Sequence, residues 1–283
     1  MHRHFILIAF LAFAFLNCGG TEEVGASSKD ADRQIRDLIS ALTPASPTAN
    51  SAIVSDWVDH RREVEGRLAT AGPEVGQAAL DKFLSDDDMI LDIRRGLLRV
   101  AARNMPKDTI GLLETLFEEY GEQMGIRTCA IELLAENSPL DAIRLIGPIL
   151  EARRPGKTYP SAERLVACYA NAAKIAGIDE DAAIALADYA SNLFLDQAGR
   201  VVAVKALSNY PGSRTRATLR TVLVESTGDA YLRRMAGDSL VRLAKIDPET
   251  DAVLCDILNE IMNKEADVNF QLYLVSMITK YCS

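Results

Sequence analysis

One pattern recurs along this chain: an arginine, then apolar or small residues three, six and seven places after it. Ile126-Arg127 is followed by Ala130, Leu133 and Leu134; Gly199-Arg200 by Ala203, Ala206 and Leu207; Leu232-Arg233 by Ala236, Ser239 and Leu240. Ile93-Arg94 with Leu97, Val100 and Ala101, and Arg164 with Ala167 and Ala170, repeat it more loosely. Gln271 with Leu274, Met277 and Ile278 keeps the spacing without the arginine, and Arg61 with Val64 and Leu68 is the weakest copy. Positions 61, 94, 127, 164, 200, 233 and 271 lie 33, 33, 37, 36, 33 and 38 residues apart. A period of this size is the signature of a repeat architecture, in which each unit buries its apolar face only against its neighbours.

The spacing of the apolar positions places them on one face of a helix. A second amphipathic segment lies between successive copies, as in Leu112-Leu113-Leu116-Phe117, Ala142-Leu145-Ile146-Ile149-Leu150, Leu219-Val222-Leu223 and Leu254-Ile257-Leu258-Ile261. Pro73, Pro106, Pro139, Pro211 and Pro248 stand near the expected starts of these segments, where a missing N–H costs little. Asn104, Ser138 and Asp247 are placed as their N-caps, and Asn209-Tyr-Pro-Gly and Ala176-Gly177 are turn signals. No stretch alternates with period two in β-formers, so almost no sheet is expected. The unit is therefore a helical hairpin, and the chain an all-α stack of six to seven of them.

Such an array resembles the HEAT-repeat proteins, α-solenoids of stacked helical hairpins, over residues 51–283. Ankyrin and TPR arrays have similar periods, but their Thr-Pro-Leu-His and Trp-Leu-Gly-Tyr signatures are missing. The resemblance implies that the second helices line a concave face, which makes Arg94, Arg127, Arg164, Arg200 and Arg233 candidate partner-binding residues. It equally implies a structural ladder, with Asp92, Asp196 and Asp229 placed to pair with those arginines. Ahead of the array, residues 33–50 read as a capping helix (Ile35, Leu38, Ile39, Leu42) and a Pro-rich loop.

The N-terminus reads as an address. Arg3 precedes an unbroken apolar run, Phe5–Leu16, whose twelve residues span about 18 Å as a helix against about 30 Å for a bilayer core. That is a secretory signal over 1–17 and not a membrane span. The run ends Leu16-Asn17-Cys18-Gly19-Gly20, which resembles the lipobox of bacterial lipoproteins, although Asn17 replaces the usual Gly or Ala. In that family the cysteine is acylated and becomes the new N-terminus. The resemblance implies lipidation at Cys18, a flexible tether over 18–32, and a lipid-anchored place in the bacterial cell envelope. The outer membrane is preferred, since Gly19 replaces the Asp of inner-membrane retention.

Composition narrows the function. Lys plus Arg is 31 against 40 Asp plus Glu, a net charge of −9, which argues against a nucleic-acid binder with its basic footprint. Only 3 His are present, and His60 alone lies beyond the leader. No P-loop, G-x-S-x-G, H-E-x-x-H or G-x-G-x-x-G occurs, so no catalytic residue, metal or cofactor is expected. Asp86-Asp87-Asp88 lacks the spacing of a calcium loop and reads as a helix N-terminal cap. Cys129 and Cys168 read as small core residues. Cys255 and Cys282 are offset by about a helical turn in an ideal antiparallel hairpin, which argues against a bridge between them.

The longest inter-helix connection, Arg153-Arg154-Pro155-Gly156-Lys157-Thr158-Tyr159-Pro160, is basic, so Arg153, Arg154, Lys157 and Tyr159 join the candidate contact residues. The expectation is a membrane-tethered, non-enzymatic scaffold that binds a protein partner through its solenoid surface. An enzyme or small-ligand binder on the same scaffold and a purely structural envelope lipoprotein are the alternatives.

Overall fold

The computed structural model describes residues 24–43, 51–86, 88–119, 123–152, 159–226 and 228–282. Among them are fourteen helices and no strand, so the chain is all-α. The helices are α1 (Val24–Leu42), α2 (Ser51–Leu68), α3 (Pro73–Ser85), α4 (Leu91–Asn104), α5 (Ile110–Glu118), α6 (Met124–Asn137) and α7 (Pro139–Glu151). They continue as α8 (Ala162–Ala176), α9 (Asp179–Ser191), α10 (Gln197–Leu207), α11 (Ser213–Glu225), α12 (Ala230–Ala244), α13 (Pro248–Lys264) and α14 (Val268–Tyr281).

The punctuation follows local chemistry. Pro73, Pro139 and Pro248 occupy the first positions of α3, α7 and α13, while Pro106 and Pro211 lie in the turns just ahead of α5 and α11. Asp247 caps α13 by accepting from the Glu249 N–H at 3.3 Å. Ser138 stands at the N-cap of α7 but bonds the Asp141 carboxylate at 2.5 Å instead of a backbone N–H. Asn104 is not an N-cap: it ends α4 and turns back on the preceding hairpin, as described below. Asp86 closes α3 and pairs with Lys82 at 3.4 Å; α4 starts from Ile90, which corrects the N-cap reading of that acidic run. Gly177 ends α8 at φ 69°, ψ 31°, a left-handed cap that a Cβ would strain, and the next N–H, of Ile178, bonds back to the Ala173 carbonyl at 3.2 Å.

The first helix begins at Val24, earlier than the expected tether would end. Ala31 is buried and continues the Ile35, Leu38, Leu42 stripe one turn N-terminally, so the helical face extends into that segment. Residues 1–17 and Cys18 lie outside the described residues.

Even-numbered helices neighbour one another in a single row: α2 on α4, α4 on α6, and so on to α12 on α14. The odd helices α7, α9, α11 and α13 neighbour one another in the same way, and each packs on the even helix that follows it. Every substantial packing pair lies within three helices along the chain. α1 covers α2, α3 and α4 at one end. A single apolar cluster runs through these contacts from Ala31 to Met277. The residues three, six and seven after the marker are buried on α4 (Leu97, Val100, Ala101), α6 (Ala130, Leu133, Leu134) and α12 (Ala236, Ser239, Leu240).

One register is corrected. On α8, Ala167 is exposed, while Leu165, Val166, Tyr169, Ala172 and Ala173 are buried. This is the marker pattern moved two places, so Val166, not Arg164, occupies the equivalent position.

Candidate functional site

Arg94, Arg127, Arg200 and Arg233 are 4%, 1%, 6% and 3% exposed. They are held by a motif of their own. Arg127, Arg200 and Arg233 each donate Nε–H to the carbonyl ten residues earlier, Phe117, Ala190 and Leu223, at 2.8, 2.9 and 2.8 Å. Those carbonyls lie in the last turns of α5, α9 and α11, where the helix leaves them without an intrahelical donor. A guanidinium near a helix C-terminus also opposes the negative end of its dipole. Three of the four guanidinium groups also face aromatic rings: Arg94 lies over Phe83 at 4.9 Å, Arg127 over Tyr159 at 5.0 Å, and Arg233 over Phe270 at 3.7 Å.

The outer nitrogens reach the next unit. Arg200 donates to the Ser226 hydroxyl at 3.3 Å, and Arg233 forms a buried ion pair with Glu265, whose side chain is 10% exposed. The Glu265 carboxyl is held below the ordinary carboxylate range, chiefly by the Arg233 hydrogen bond. Arginine suits this place because its several donors serve a carbonyl and a second acceptor at once while its flat face stacks on a ring.

Four of the five marker arginines are thus internal fastenings and not a surface stripe. Nor do the expected acids pair with them directly. Asp196 and Asp229 cap their helices by accepting from the Gly199 and Leu232 N–H groups at 2.7 and 2.9 Å, and Asp92 faces Arg95 at 3.8 Å. Arg164, outside the register, is the exposed one, its side chain 62% accessible and 3.5 Å from Glu132. Arg153, Arg154 and Lys157 lie outside the described residues. Tyr159 is half-buried, its ring against Arg127 and 5.9 Å from Phe117, so it packs inward instead of anchoring a partner.

Further ties escaped the sequence reading. Asn104 donates to the Leu68 carbonyl at 2.7 Å and accepts from the Gly72 N–H at 2.7 Å, and Asn137 donates to the Ala102 carbonyl at 3.0 Å. Both sit ten places after a marker arginine, a 33-residue echo visible in the sequence. Tyr210, at the same offset, donates to the Ala170 carbonyl at 3.1 Å.

The cysteines divide cleanly. Cys129 and Cys168 are buried free thiols, and burial pushes the Cys168 thiol up to about 12 and raises that of Cys129. Cys255 and Cys282 form a disulfide with Cα atoms 5.7 Å apart, which corrects the expectation that they are out of reach. Cys282 is the C-cap residue of α14, where the chain leaves the helix; the ideal-hairpin argument placed it on a continuing helix.

A cleft of about 450 Å³ lies between α7, α8 and α9. Buried Leu150, Tyr169 and Tyr189 form its floor, and exposed Glu151, Asp181 and Asp188 stand around it. Burial, with Asp181 and Glu151 nearby, raises the Tyr169 phenol above its ordinary value. Arg214 pairs with Asp188 at 2.7 Å. Beside the cleft, the α9–α10 turn presents Leu193 at 61% and Phe194 at 99% exposure, adjoining the cleft residues Asn192 and Leu195. Among the described residues, no group of three or more His, Cys, Asp or Glu is arranged to hold a metal, and no helix is long and apolar enough to cross a membrane. No protein-family model matches the chain, nor does any curated protein or solved structure.

Proposed function

We propose that the chain is a HEAT-like α-solenoid, anchored through an acylated Cys18 in a bacterial envelope, that works as a non-enzymatic adaptor for a protein partner. Two observations support the architecture and the compartment. The even helices packing each on the next even helix, and three of them fastened to the preceding helix by the same arginine device, are what a stack of hairpins requires. The Cys255–Cys282 bridge suits an oxidising compartment, as the secretory leader implies.

The binding reading rests on Phe194. A phenyl ring 99% exposed, next to Leu193 and a Tyr-floored cleft, is an anchor placed in solvent at a cost that a partner removes. The acids around the cleft choose the partner's chemistry: a segment bearing basic and apolar side chains. Arg94, Arg127, Arg200 and Arg233 are inside and take no part in that surface.

A fluorescent peptide alternating Lys and Leu, compared with its Glu/Leu counterpart, tests the reading. The basic peptide is expected to bind, and more weakly as salt rises. Phe194→Ala should weaken binding by about 30-fold, the effect of losing a ~2 kcal/mol anchor. Equal binding of the acidic peptide, or no effect of Phe194→Ala, would overturn it. Cys18→Ser tests the anchor independently: membrane association that survives the substitution excludes acylation there.

A further inference from the structure

The helices of the even row meet through defined registers. Four places after the marker, Leu98, Ile131 and Val204 are fully buried, and a Cβ on Gly237 would lie 2.6 Å from the Tyr273 hydroxyl and 3.3 Å from the Met277 sulfur of α14. One place after the marker, the carbonyls of Arg95 and Arg234 accept from Cys129 and Tyr273 of the next even helix. Three places before it, Leu91 of α4 meets Gly125 of α6. On α14 the same three registers are Val268, Leu272 and Val275, and they are 66%, 64% and 45% exposed. They form one apolar stripe at i, i+4 and i+7. Of the exposed residues beside it, Asn269, Ser276 and Thr279 carry no charge, and the charged Asp267 and Lys280 stand at the two ends of the helix. The Cys255–Cys282 bridge ties the end of this helix to α13.

The other end of the row is built differently. Registers two and six after the marker face the preceding unit, as Cys129, Tyr273 and Met277 do, and on α2 they are Glu63 and Arg67, both exposed and charged. A repeat array stays soluble when its terminal units present such a polar outer face. Head-to-tail stacking of two chains would press Leu272 and Val275 onto Glu63 and Arg67 and leave those charges buried without partners. Tail-to-tail contact brings an uncharged apolar stripe onto an identical one, and the two-fold symmetry closes the assembly at two copies.

We propose that the outer face of α14 is a dimerisation surface for a second copy of this chain, the two α14 helices antiparallel, with Leu272 of each against Val275 of the other. A single helix pair covers less than about 1,200 Å², so the dimer is weak and concentration-dependent. This inference does not depend on the cleft or on its ligand.

Sedimentation velocity of the full chain in a non-denaturing detergent tests it, from about 1 μM to about 1 mM, the range in which so small an interface reads out. The expected result is a reversible monomer–dimer equilibrium. Leu272→Glu/Val275→Glu should sediment as a monomer throughout with unchanged helical circular dichroism, since both positions are exposed in the single chain. A spin label at Ser276→Cys should report a second label within about 20 Å in the dimer, as two packed helices 8–10 Å apart require. A wild-type chain that stays monomeric across the range would overturn the proposal. So would a dimer that survives the double substitution, or open-ended growth beyond two copies.

Discussion

Removing the Glu265 side chain should be among the most damaging single changes outside the apolar core. Glu265 lies in the connection between α13 and α14 and pairs with Arg233 of α12; their side chains are 10% and 4% exposed. Glu265 also accepts from the Asp267 N–H at 2.9 Å, at the turn into α14. Glu265→Ala leaves a buried guanidinium without its counter-charge, a loss of about 3–5 kcal/mol. At about 2–4 °C per kcal/mol for a chain of this size, the thermal midpoint should fall by roughly 6–20 °C. Arg233→Met/Glu265→Ala should be less destabilised than the sum of the two single changes, because the stranded cation is gone. Circular dichroism melts of the four proteins supply the cycle. The pH dependence has a definite sign. The folded-state carboxyl titrates below its ordinary 4.5, so the pair's contribution is complete above that pH and disappears as pH falls through the folded value. Glu265→Gln should therefore lose that part of the acid dependence. A Glu265→Ala protein within about 1 kcal/mol of wild type, or strict additivity in the cycle, would refute the fastening role of the arginine.

Reducing the Cys255–Cys282 bridge, or Cys255→Ser/Cys282→Ser, should lower stability by about 2–4 kcal/mol for its separation of 27 residues, and hydrogen exchange should locate the loss in α13 and α14. Gly237→Ala should destabilise by about 1 kcal/mol despite Ala's better helix propensity, because the new methyl displaces a Tyr273 hydroxyl that bonds the Arg234 carbonyl and the Asp238 carboxylate. Gly66→Ala in α2, with open space around it, should stabilise by up to about 1 kcal/mol, and denaturant titration of the pair reads both signs. In the folded Cys18→Ser protein a maleimide should label no thiol, and after denaturation without reductant it should label Cys129 and Cys168; native labelling of either would contradict their burial.

The arginine recurrence carried most of the helical pattern, because a residue buried at the same place on four of the even helices leaves a mark at those periods. It conveyed the all-α class and the buried registers of α4, α6 and α12. It misplaced α8, where Val166 fills the internal position and a neighbouring arginine, Arg164, imitates it two places away. What the pattern could not convey was direction. Arg127 and Arg233 look like any surface cation in a string of letters; only the helix-end carbonyl ten residues back and the ring beneath show that they point inward. The Asn104 and Asn137 ties were legible as a 33-residue echo, but their acceptors are backbone carbonyls, which no residue type reveals. Leu193 and Phe194 carry no periodic signal, since exposed turn residues do not answer to the packing of the helices. The disulfide depended on where α14 ends, and helix ends are the least legible feature of a sequence.

The arginine device and the row of even helices together make a single claim, that this chain advances by one hairpin per period. Arg103, Glu136, Asn209 and Arg242 are exposed and stand nine places after their markers, on successive units of one row except that α8 is skipped. Spin labels on cysteines introduced at these sites in the Cys18→Ser chain measure the advance by dipolar spectroscopy. At 8–10 Å per helix, the distance from position 103 should be shortest to 136, about 24–30 Å to 209 and about 32–40 Å to 242. A distance from 103 to 242 no longer than that from 103 to 209, or shorter than about 20 Å, would mean that the helices close into a bundle and that the stack does not exist.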